Sequence, residues 1–334
     1  MICQRFLGDE VLLSEENLYP MKVNPLFRHY VWGGQSLKKV FTEFEDDKSP
    51  LAEVWLLGED NQIANGFLAG RKLSDVSKEF GKSLLGSEIA KKNNNQFPLL
   101  IKILDCARWL SLQVHPNDEQ ALELEGSGFR GKTEAWHVLE ADSNASLIAG
   151  LKNNISKDEV EQRIRQGEIL DIVKSHSVKK NDTVFVGAGT IHALGPGTLI
   201  YEVQQMSDLT YRVHDWDRPE TEERPLHIEK SIKVIDPDID VKILHFDPSV
   251  DTFTRPLVKC QKFILEALES SGRTEDLDTQ GKGFHILTVI AGEVRLIAGK
   301  ESISLKKFQS VLIPADFGRY QVSGDFRALK AQAL

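Results

Sequence analysis

Short runs of strand-forming residues between turn signals are the feature that most constrains the fold of this chain. Two such segments are HILTVIAGEVRLI at 285 to 297 and SISLKKFQSVLIPA at 302 to 315. Runs rich in Val, Ile and Leu, bounded by Gly or Pro, are typical of strands. We therefore predict a mainly β chain, with a hairpin that turns at Ala291 and Gly292 and a second β domain after the stretch DPDID at 236 to 240.

Two helical patterns interrupt the strand-like segments. Residues 73 to 91 have helical spacing that is broken by Gly81 and Gly86, which predicts two short helices. Residues 156 to 173 open with Ser156 and carry Glu159 three places later, the pattern of a capping box. We expect these helices, at about 73–95 and 156–175, to be insertions into a β framework.

The charge of the chain argues against two classes of partner. The formal net charge is -9, and the Lys and Arg residues are scattered along the 334 residues rather than gathered into a stripe. Nucleic acid and anionic membranes are therefore not expected as partners. The odd set of Cys3, Cys106 and Cys260 indicates neither a disulfide framework nor a cysteine metal site.

The N-terminal region lacks the pattern of a secretory signal. Its first twenty residues contain several charged side chains and no continuous apolar core, so we predict a cytoplasmic protein. Met21 begins a segment, MKVNPLFRHYVWGG, that has the look of a natural protein start. Residues 1–20 are accordingly predicted to be an N-terminal extension or the product of a misassigned start.

The segment LSLQVHPND, residues 110 to 118, places a histidine on a polar strand face. Alternate side chains of a strand share a face, so Ser111, Gln113 and His115 point one way while Leu112 and Val114 point the other. Pro116 ends the strand, and the residues after it have the composition of a helix start.

Two further segments add polar side chains to the same pattern. In FRGKTEAWHV, residues 129 to 138, Lys132 and Glu134 share a strand face. In NDTVFVGAGTIHALGPG, residues 181 to 197, Gly187 and Gly189 form a turn that returns His192 to the sheet interior. Two histidines and one carboxylate therefore lie on three strands.

Neutral imidazole and carboxylate together suit a divalent cation of intermediate softness. A set of His115, Glu134 and His192 leaves coordination positions open for water or substrate, and Gln113 adds a carbonyl oxygen as a fourth donor. The alternative is a polar barrel interior that holds no metal.

Several separated motifs resemble those of one known family. LSLQVHP, GKTEAWHV, GTIHALGPG and YEVQQMSDLTYRVHDW are similar, in order and spacing, to motifs of the type I mannose-6-phosphate isomerases, particularly the short bacterial form. VWGG at 31 to 34, LAEVWLLG at 51 to 58 and FPLLIKILD at 97 to 105 also fit. The resemblance is strong from about residue 21 to about residue 237 and weaker beyond.

The resemblance implies two cupin-like, jelly-roll β domains and one zinc ion per chain. The first, catalytic domain would span residues 21–240, and residues 241–334 would form a cupin-like domain without metal ligands. The zinc ligands of the family carry over to Gln113, His115, Glu134 and His192, with Gln113 the one that the short form does not clearly require.

The resemblance also implies roles for cleft residues. The active-site arginine of the family matches Arg212, while Lys132 and Glu202 fall in motifs that line its sugar pocket. Ser111 and Lys102 match its polar approach residues. Glu202 is then the candidate base, with Lys132 as the alternative, and Arg212 or Lys132 would bind the phosphate.

The reaction implied is the interconversion of mannose 6-phosphate and fructose 6-phosphate, in which a proton moves between C1 and C2 through an enediol. Two other functions fit a cupin with this metal set: a mononuclear iron oxygenase and a sugar-binding protein without catalysis. Lys102, Lys132 and Arg212 favour the phosphosugar isomerase. A monomer or weak homo-oligomer is expected.

Overall fold

The computed structural model of the chain describes residues 17–42, 49–222, 224–247, 252–298 and 301–334. The described residues are mainly β, as predicted. The strands are β1 (Met21–Lys22), β2 (Leu26–Arg28), β3 (Glu53–Leu57), β4 (Leu99–Cys106), β5 (Leu112–Val114), β6 (Glu134–Ala141), β7 (Ser146–Leu151), β8 (Val173–Ser177), β9 (Asp182–Val186), β10 (His192–Leu194), β11 (Thr198–Gln205), β12 (Tyr211–His214), β13 (Ile243–His245), β14 (Thr254–Lys259), β15 (Phe263–Asp278), β16 (His285–Ala298), β17 (Glu301–Lys306), β18 (Ser310–Ile313) and β19 (Arg319–Ala333).

Short helices connect these strands. The α-helices are α1 (Leu73–Leu85), α2 (Ser87–Lys92), α3 (Asp118–Glu125), α4 (Lys157–Gln166) and α5 (Ile228–Val234), and 3-10 turns cover Leu37–Lys39, Ile169–Asp171 and Ala315–Phe317. Among the described residues, no helix has the length and apolar character needed to span a bilayer. Most of the predicted extension, residues 1–16, lies outside the described residues.

The strands form three antiparallel sheets. The five-stranded sheet has the order β12-β5-β10-β7-β8, the central sheet the order β13-β9-β6-β11-β4-β3-β2, and the C-terminal sheet the order β1-β18-β16-β19-β15-β14 with β17 beside β16. The first described strand, β1, thus pairs with β18 in the C-terminal sheet. The division of the chain at residue 240 remains a prediction.

The central sheet is buried on both faces, which explains the apolar character of its strands. Along β11, Ile200 packs in a cluster with residues of the five-stranded sheet, whereas Tyr201 and Val203 pack in a cluster with residues of the C-terminal sheet. Alternation then directs Glu202 and Gln204 toward the five-stranded sheet. The space between the central and five-stranded sheets is therefore apolar at one level and polar at another.

The outer face of the five-stranded sheet is covered by helices. Val160 and Ile164 of α4 pack with Leu112 and Val114 of β5 in one cluster, as the alternation of β5 predicts. The Ser156 half of the predicted capping box is confirmed, because its side chain accepts the Glu159 N–H at 3.2 Å, but the Glu159 side chain makes no return bond to the Ser156 N–H. The predicted continuation of this helix to residues 173–175 is wrong. α4 stops at Gln166 because Gly167 adopts a left-handed conformation with φ 75°.

Two other sequence predictions have different outcomes. Gly81 and Gly86 do interrupt the helical segment as predicted, since both have positive φ. The hairpin predicted at Ala291 and Gly292 is wrong: β16 runs without a turn from His285 to Ala298. Its register against β19 shifts between Val289 and Ala291, which makes Ile290 the extra residue of a β-bulge, while Gly292 itself pairs with Phe326.

Candidate metal centre and its cleft

A row of polar and aromatic side chains crosses the central sheet. Trp136 on β6 lies opposite Glu202 on β11, Glu202 lies opposite Lys102 on β4, and Lys102 lies opposite Trp55 on β3. Directly opposed residues of antiparallel strands point to the same face. These four side chains therefore share the face that looks toward the five-stranded sheet.

A second row crosses the five-stranded sheet. Arg212 on β12 lies opposite Gln113 on β5, and Gln113 lies opposite His192 on β10. His115 follows two residues after Gln113, directly beyond the end of β5. The two rows come from sheets that pack against each other, so residues distant in sequence meet in one space.

The predicted metal ligands converge between these sheets. The candidate donor atoms of His115, Glu134 and His192 all lie within 4.8 Å of one another, and all three residues are buried. Glu134 Oε2 is 3.5 Å from His115 Nε2, and Glu134 Oε1 is 3.3 Å from His192 Nε2. Among the described residues this is the one set of three His, Cys, Asp or Glu side chains with such spacing.

The donor atoms of this set lack the partners that buried polar atoms normally have. Neither ring nitrogen of His115 and neither carboxylate oxygen of Glu134 makes a hydrogen bond of ordinary geometry with any described residue. Nδ1 of His192 is 2.8 Å from the Thr190 carbonyl oxygen, which fixes it as the donor and leaves the Nε2 lone pair directed at Glu134. Buried donors and acceptors are usually satisfied. The Lys132 ammonium forms an ion pair with Glu134 Oε2 at 3.3 Å, and a divalent cation fits the remaining donor atoms.

The pKa shifts agree with this reading. Burial lowers the pKa of His192 to about 4 and holds that of His115 well below its usual range, so both rings are neutral and can act as ligands. Burial and the charge of Glu202 raise the pKa of Glu134 to about 7. The Lys132 ammonium, 3.3 Å from Glu134 Oε2, offsets part of this effect, and a divalent cation beside the two neutral imidazoles would stabilise the ionised carboxylate further.

Gln113 borders the candidate metal ligands, but it presents its amide nitrogen rather than its carbonyl oxygen to His192. Its Nε2 is 3.3 Å from His192 Nε2, and its Oε1 accepts from the Ser111 hydroxyl at 3.3 Å. Rotating the amide by half a turn would present Oε1 to the metal position, and Ser111 would then accept from the amide nitrogen. Gln113 is thus near enough to be a ligand in its other orientation.

A chain of buried charges extends from the metal set across the central sheet. Lys132 Nζ lies 3.3 Å from Glu134 Oε2, and Lys102 Nζ lies 3.3 Å from Glu202 Oε1 and 3.5 Å from Glu53 Oε2. Burial alone would lower the pKa of Lys102, but attraction by Glu53 and Glu202 raises it overall. The pKa of Glu202 would be raised by burial, yet Lys102 and Lys132 bring it below its usual value.

The two rows line one cleft of about 830 Å³. It includes seven of the nine predicted site residues: Lys102, Ser111, Gln113, Lys132, His192, Glu202 and Arg212. His115 and Glu134 lie behind its wall, at most 2 % exposed. Arg212 donates from Nη1 to the Pro225 carbonyl oxygen at 2.9 Å, and its Nε has no hydrogen-bond partner among the described residues.

The cleft also contains residues that the sequence prediction missed: Arg28, Glu53, Trp55, Trp136, Asp208 and Arg224. Strand alternation could have predicted Trp136 as a site residue, because it shares a strand face with Glu134. Its Nε1–H donates to Glu202 Oε2 at 2.9 Å and orients that carboxylate. Glu53 and Trp55 alternate on β3, but nothing local in the sequence indicates that β3 pairs with β4.

Comparison with protein families identifies both parts of the chain. Residues 21–137 match the phosphomannose isomerase type I catalytic domain, and residues 254–332 match the mannose-6-phosphate isomerase cupin domain. Mannose-6-phosphate isomerase ManA of Bacillus subtilis is 34% identical over 91% of this chain and 96% of its own length. Mannose-6-phosphate isomerase of Streptococcus mutans is 32% identical over 94% of this chain and 98% of its own length.

Solved structures give the same answer at the level of the fold. The mannose 6-phosphate isomerase crystal structure from Bacillus subtilis superposes with a TM-score of 0.78 at 27% identity. The match covers 93% of this chain and 99% of that one. Sequence similarity over nearly the whole length of the relatives, together with the shared fold and both family matches, shows that the chain belongs to the type I phosphomannose isomerase family.

Proposed function

We propose that the chain interconverts mannose 6-phosphate and fructose 6-phosphate with one zinc ion held by His115, Glu134 and His192, and with Gln113 as a further ligand. The observation that carries the proposal is a buried set of two histidines and a carboxylate, with His115 and Glu134 lacking ordinary hydrogen bonds, beside a cation-bearing cleft in a member of this family. Zinc in this position would supply a Lewis acid that stabilises negative charge on the sugar oxygens without redox chemistry.

Glu202 is the proposed base that moves the proton between C1 and C2 by way of an enediol. Its carboxylate borders the cleft, and its lowered pKa keeps it ionised and able to accept a proton. Trp136 and Lys102 hold the two carboxylate oxygens in place. Lys132 is the alternative proton carrier, since its ammonium group reaches the same wall.

The cations of the cleft are proposed to bind the substrate. Arg212 has no carboxylate within ion-pair distance among the described residues, so its guanidinium is available to a phosphate or to charge that develops on the sugar. Ser111 and Lys102 would contact sugar hydroxyls as the substrate enters. We also keep as proposals a cytoplasmic location and a monomer or weak homo-oligomer.

The first test is the metal content of the purified protein together with a coupled assay for fructose 6-phosphate formed from mannose 6-phosphate. Zinc near one per chain, with turnover that is lost on chelation and restored by zinc, would support the proposal. Bound iron with oxygen consumption and no isomerisation would instead indicate an oxygenase, and a metal-free protein that binds sugar without turnover would indicate a binding function.

A ligand variant with a matched control sharpens this test. Glu134→Gln removes the one negative donor of the metal set and should weaken zinc affinity by at least about 100-fold, since even partners behind the ligands contribute 10- to 100-fold. Glu140→Gln makes the same change at the exposed end of the same strand. Normal zinc content in the first variant, or equal loss in both, would contradict the assignment of Glu134.

A further inference from the structure

The backbone that carries Lys132 is fixed at three consecutive N–H groups. Two of the acceptors are the side chains of Asp118 and Gln205, which do not line the cleft. The third is the carbonyl of Pro116, the residue after His115. The bonds are Gly131 N–H to Asp118 Oδ1 at 2.8 Å, Lys132 N–H to Pro116 O at 2.9 Å and Thr133 N–H to Gln205 Oε1 at 3.1 Å. These bonds satisfy three consecutive N–H groups of a segment that belongs to no strand or helix.

The two side-chain acceptors also hold each other. Gln205 Nε2 donates to Asp118 Oδ1 at 3.1 Å, and the Gln205 N–H donates to the Thr133 carbonyl oxygen at 3.1 Å. Asp118 begins α3, three residues after His115, while Gln205 ends β11, three residues after Glu202. The network therefore links the segment of Lys132 to the elements that carry a metal ligand and the proposed base.

The C-terminal sheet completes the network. Lys262 lies in the connection between β14 and β15, and its Nζ is 2.5 Å from Asp118 Oδ2. The side chains of Lys262 and Asp118 are 35% and 44% exposed, so solvent screens this pair and its contribution to stability is small. The contact instead fixes where the Asp118 carboxylate lies.

We propose that Asp118 and Gln205 are positioning residues for Lys132, and that Lys262 gives the C-terminal sheet a part in the active site. This inference rests on the proposed function, in which Lys132 acts at the sugar. A lysine ammonium sits on a flexible stem, so the backbone beneath it must supply much of its placement. A displacement of about 1 Å at a reacting group can cost about 100-fold in rate.

The test measures kcat, KM, zinc content and thermal midpoint of zinc-loaded enzyme with mannose 6-phosphate. Asp118→Ala should lower kcat by about 10- to 100-fold while KM changes less than about threefold, because the lost placement matters most in the transition state. Asp118→Asn keeps an oxygen for the Gly131 N–H and should recover most of the loss. Glu123→Ala, an exposed carboxylate on the same helix, should change kcat less than about twofold.

Variants of Lys262 and Lys132 distinguish positioning from a purely structural role, because a purely structural role predicts neither of the following changes in kcat. Lys262→Met should lower kcat by about two- to fivefold, and Lys262→Arg should restore it, because arginine also donates to the carboxylate. In a Lys132→Met background, Asp118→Ala should reduce the residual turnover by less than about twofold, because the two changes act through one group. If that residual turnover is below detection, the split between kcat and KM and the Lys262 rescue decide.

The outcomes separate the two proposals. Wild-type protein that binds zinc but does not isomerise mannose 6-phosphate contradicts the proposed function. Active wild-type enzyme with an unchanged kcat in Asp118→Ala contradicts the positioning role, as does a loss of activity that follows only zinc content or thermal midpoint. Additive losses in the Lys132→Met background would also overturn it.

Discussion

Lys102 lies between two buried carboxylates, and only one of them is a good candidate for the base. Both carboxylates accept a hydrogen bond from a tryptophan Nε1, Glu202 from Trp136 at 2.9 Å and Glu53 from Trp55 at 2.7 Å, but only Glu202 lies directly opposite Lys102 on the neighbouring strand. The charge of Glu202 also contributes to the raised pKa of Glu134. Glu202 is thus electrostatically coupled to the metal set as well as to Lys102.

Exchanging each carboxylate for an amide separates their roles. Glu202→Gln should lower kcat by about 100- to 10,000-fold in saturating substrate, the range for removing a general base. Glu53→Gln removes the same charge from the other side of Lys102 and should cost less than about tenfold. Single-turnover rates of the two zinc-loaded variants check the difference. Near-normal turnover in Glu202→Gln would transfer the role to Lys132.

For individual residues, the sequence predicts the site correctly wherever strand alternation alone determines which side chains share a face. Alternation groups Gln113 with His115 and Lys132 with Glu134, and the structure brings these residues to one centre. Alternation does not indicate which strands pair with each other. Glu53 was missed because its place beside Lys102 depends on pairing between strands that are more than forty residues apart in the chain.

Among the elements, the turn before β10 positions two of the candidate metal ligands, His115 and His192. Gly189 has φ 88°, its N–H donates to the His115 carbonyl oxygen at 2.8 Å, and its own carbonyl accepts from the Asp236 N–H at 3.0 Å. The next carbonyl, that of Thr190, holds the ring of His192. One turn therefore fixes the backbone of one histidine and the ring orientation of the other.

The two glycines of this turn offer a matched comparison. Gly189→Ala forces a side chain into the left-handed region and brings its Cβ to 3.1 Å from Asp236 Cβ. We expect a loss of about 1–2 kcal/mol in the free energy of unfolding and weaker zinc binding. Gly187→Ala places its Cβ no nearer than 3.5 Å to another atom and should be almost neutral. Equal zinc affinity in both variants would show that the turn does not set the ligand geometry.

The elements themselves were predictable in kind more than in extent. Composition indicated strands at 285–297, but the glycine that suggested a turn lies inside a paired strand, where its positive φ and the nearby Asp325 carbonyl leave no room for a Cβ. The end of α4 was misplaced because apolar spacing continues past Gly167 through Ile169 and Ile172, which are buried outside the helix. Tertiary burial imitates helical periodicity there.

For the molecule as a whole, the burial of neutral histidines ties stability to pH. His285 of the C-terminal sheet is 4% exposed, and its Nδ1 lies 2.8 Å from the Tyr320 hydroxyl oxygen. Burial, aided by Lys330, lowers the pKa of His285 to about 3. This residue is in a different sheet from the metal set, so its titration can be studied separately from metal binding.

The direction of this pH dependence of stability follows from the difference in the pKa of His285 between the folded and the unfolded chain. The unfolded chain protonates His285 near its usual pKa of 6.5, whereas the folded chain does so only near 3. Stability is therefore complete above about pH 6.5 and falls as the pH drops from there toward 3. His245 has the opposite sign, because hydrogen bonding to Asp182 and Asp247 raises its pKa and adds stability in acid.

Replacing His285 by Gln should therefore flatten the pH dependence of stability. Between pH 7.5 and pH 5.0 the variant should lose about 2 kcal/mol less than the wild type, at about 1.4 kcal/mol for each pH unit below 6.5. Urea unfolding followed by circular dichroism at both pH values gives this difference, and acid release of metal cancels because both proteins share it. His245→Gln should instead steepen the loss in acid. Parallel pH profiles for wild type and His285→Gln would mean that the folded chain protonates His285 as readily as the unfolded chain does. Burial would then not lower the pKa of this histidine.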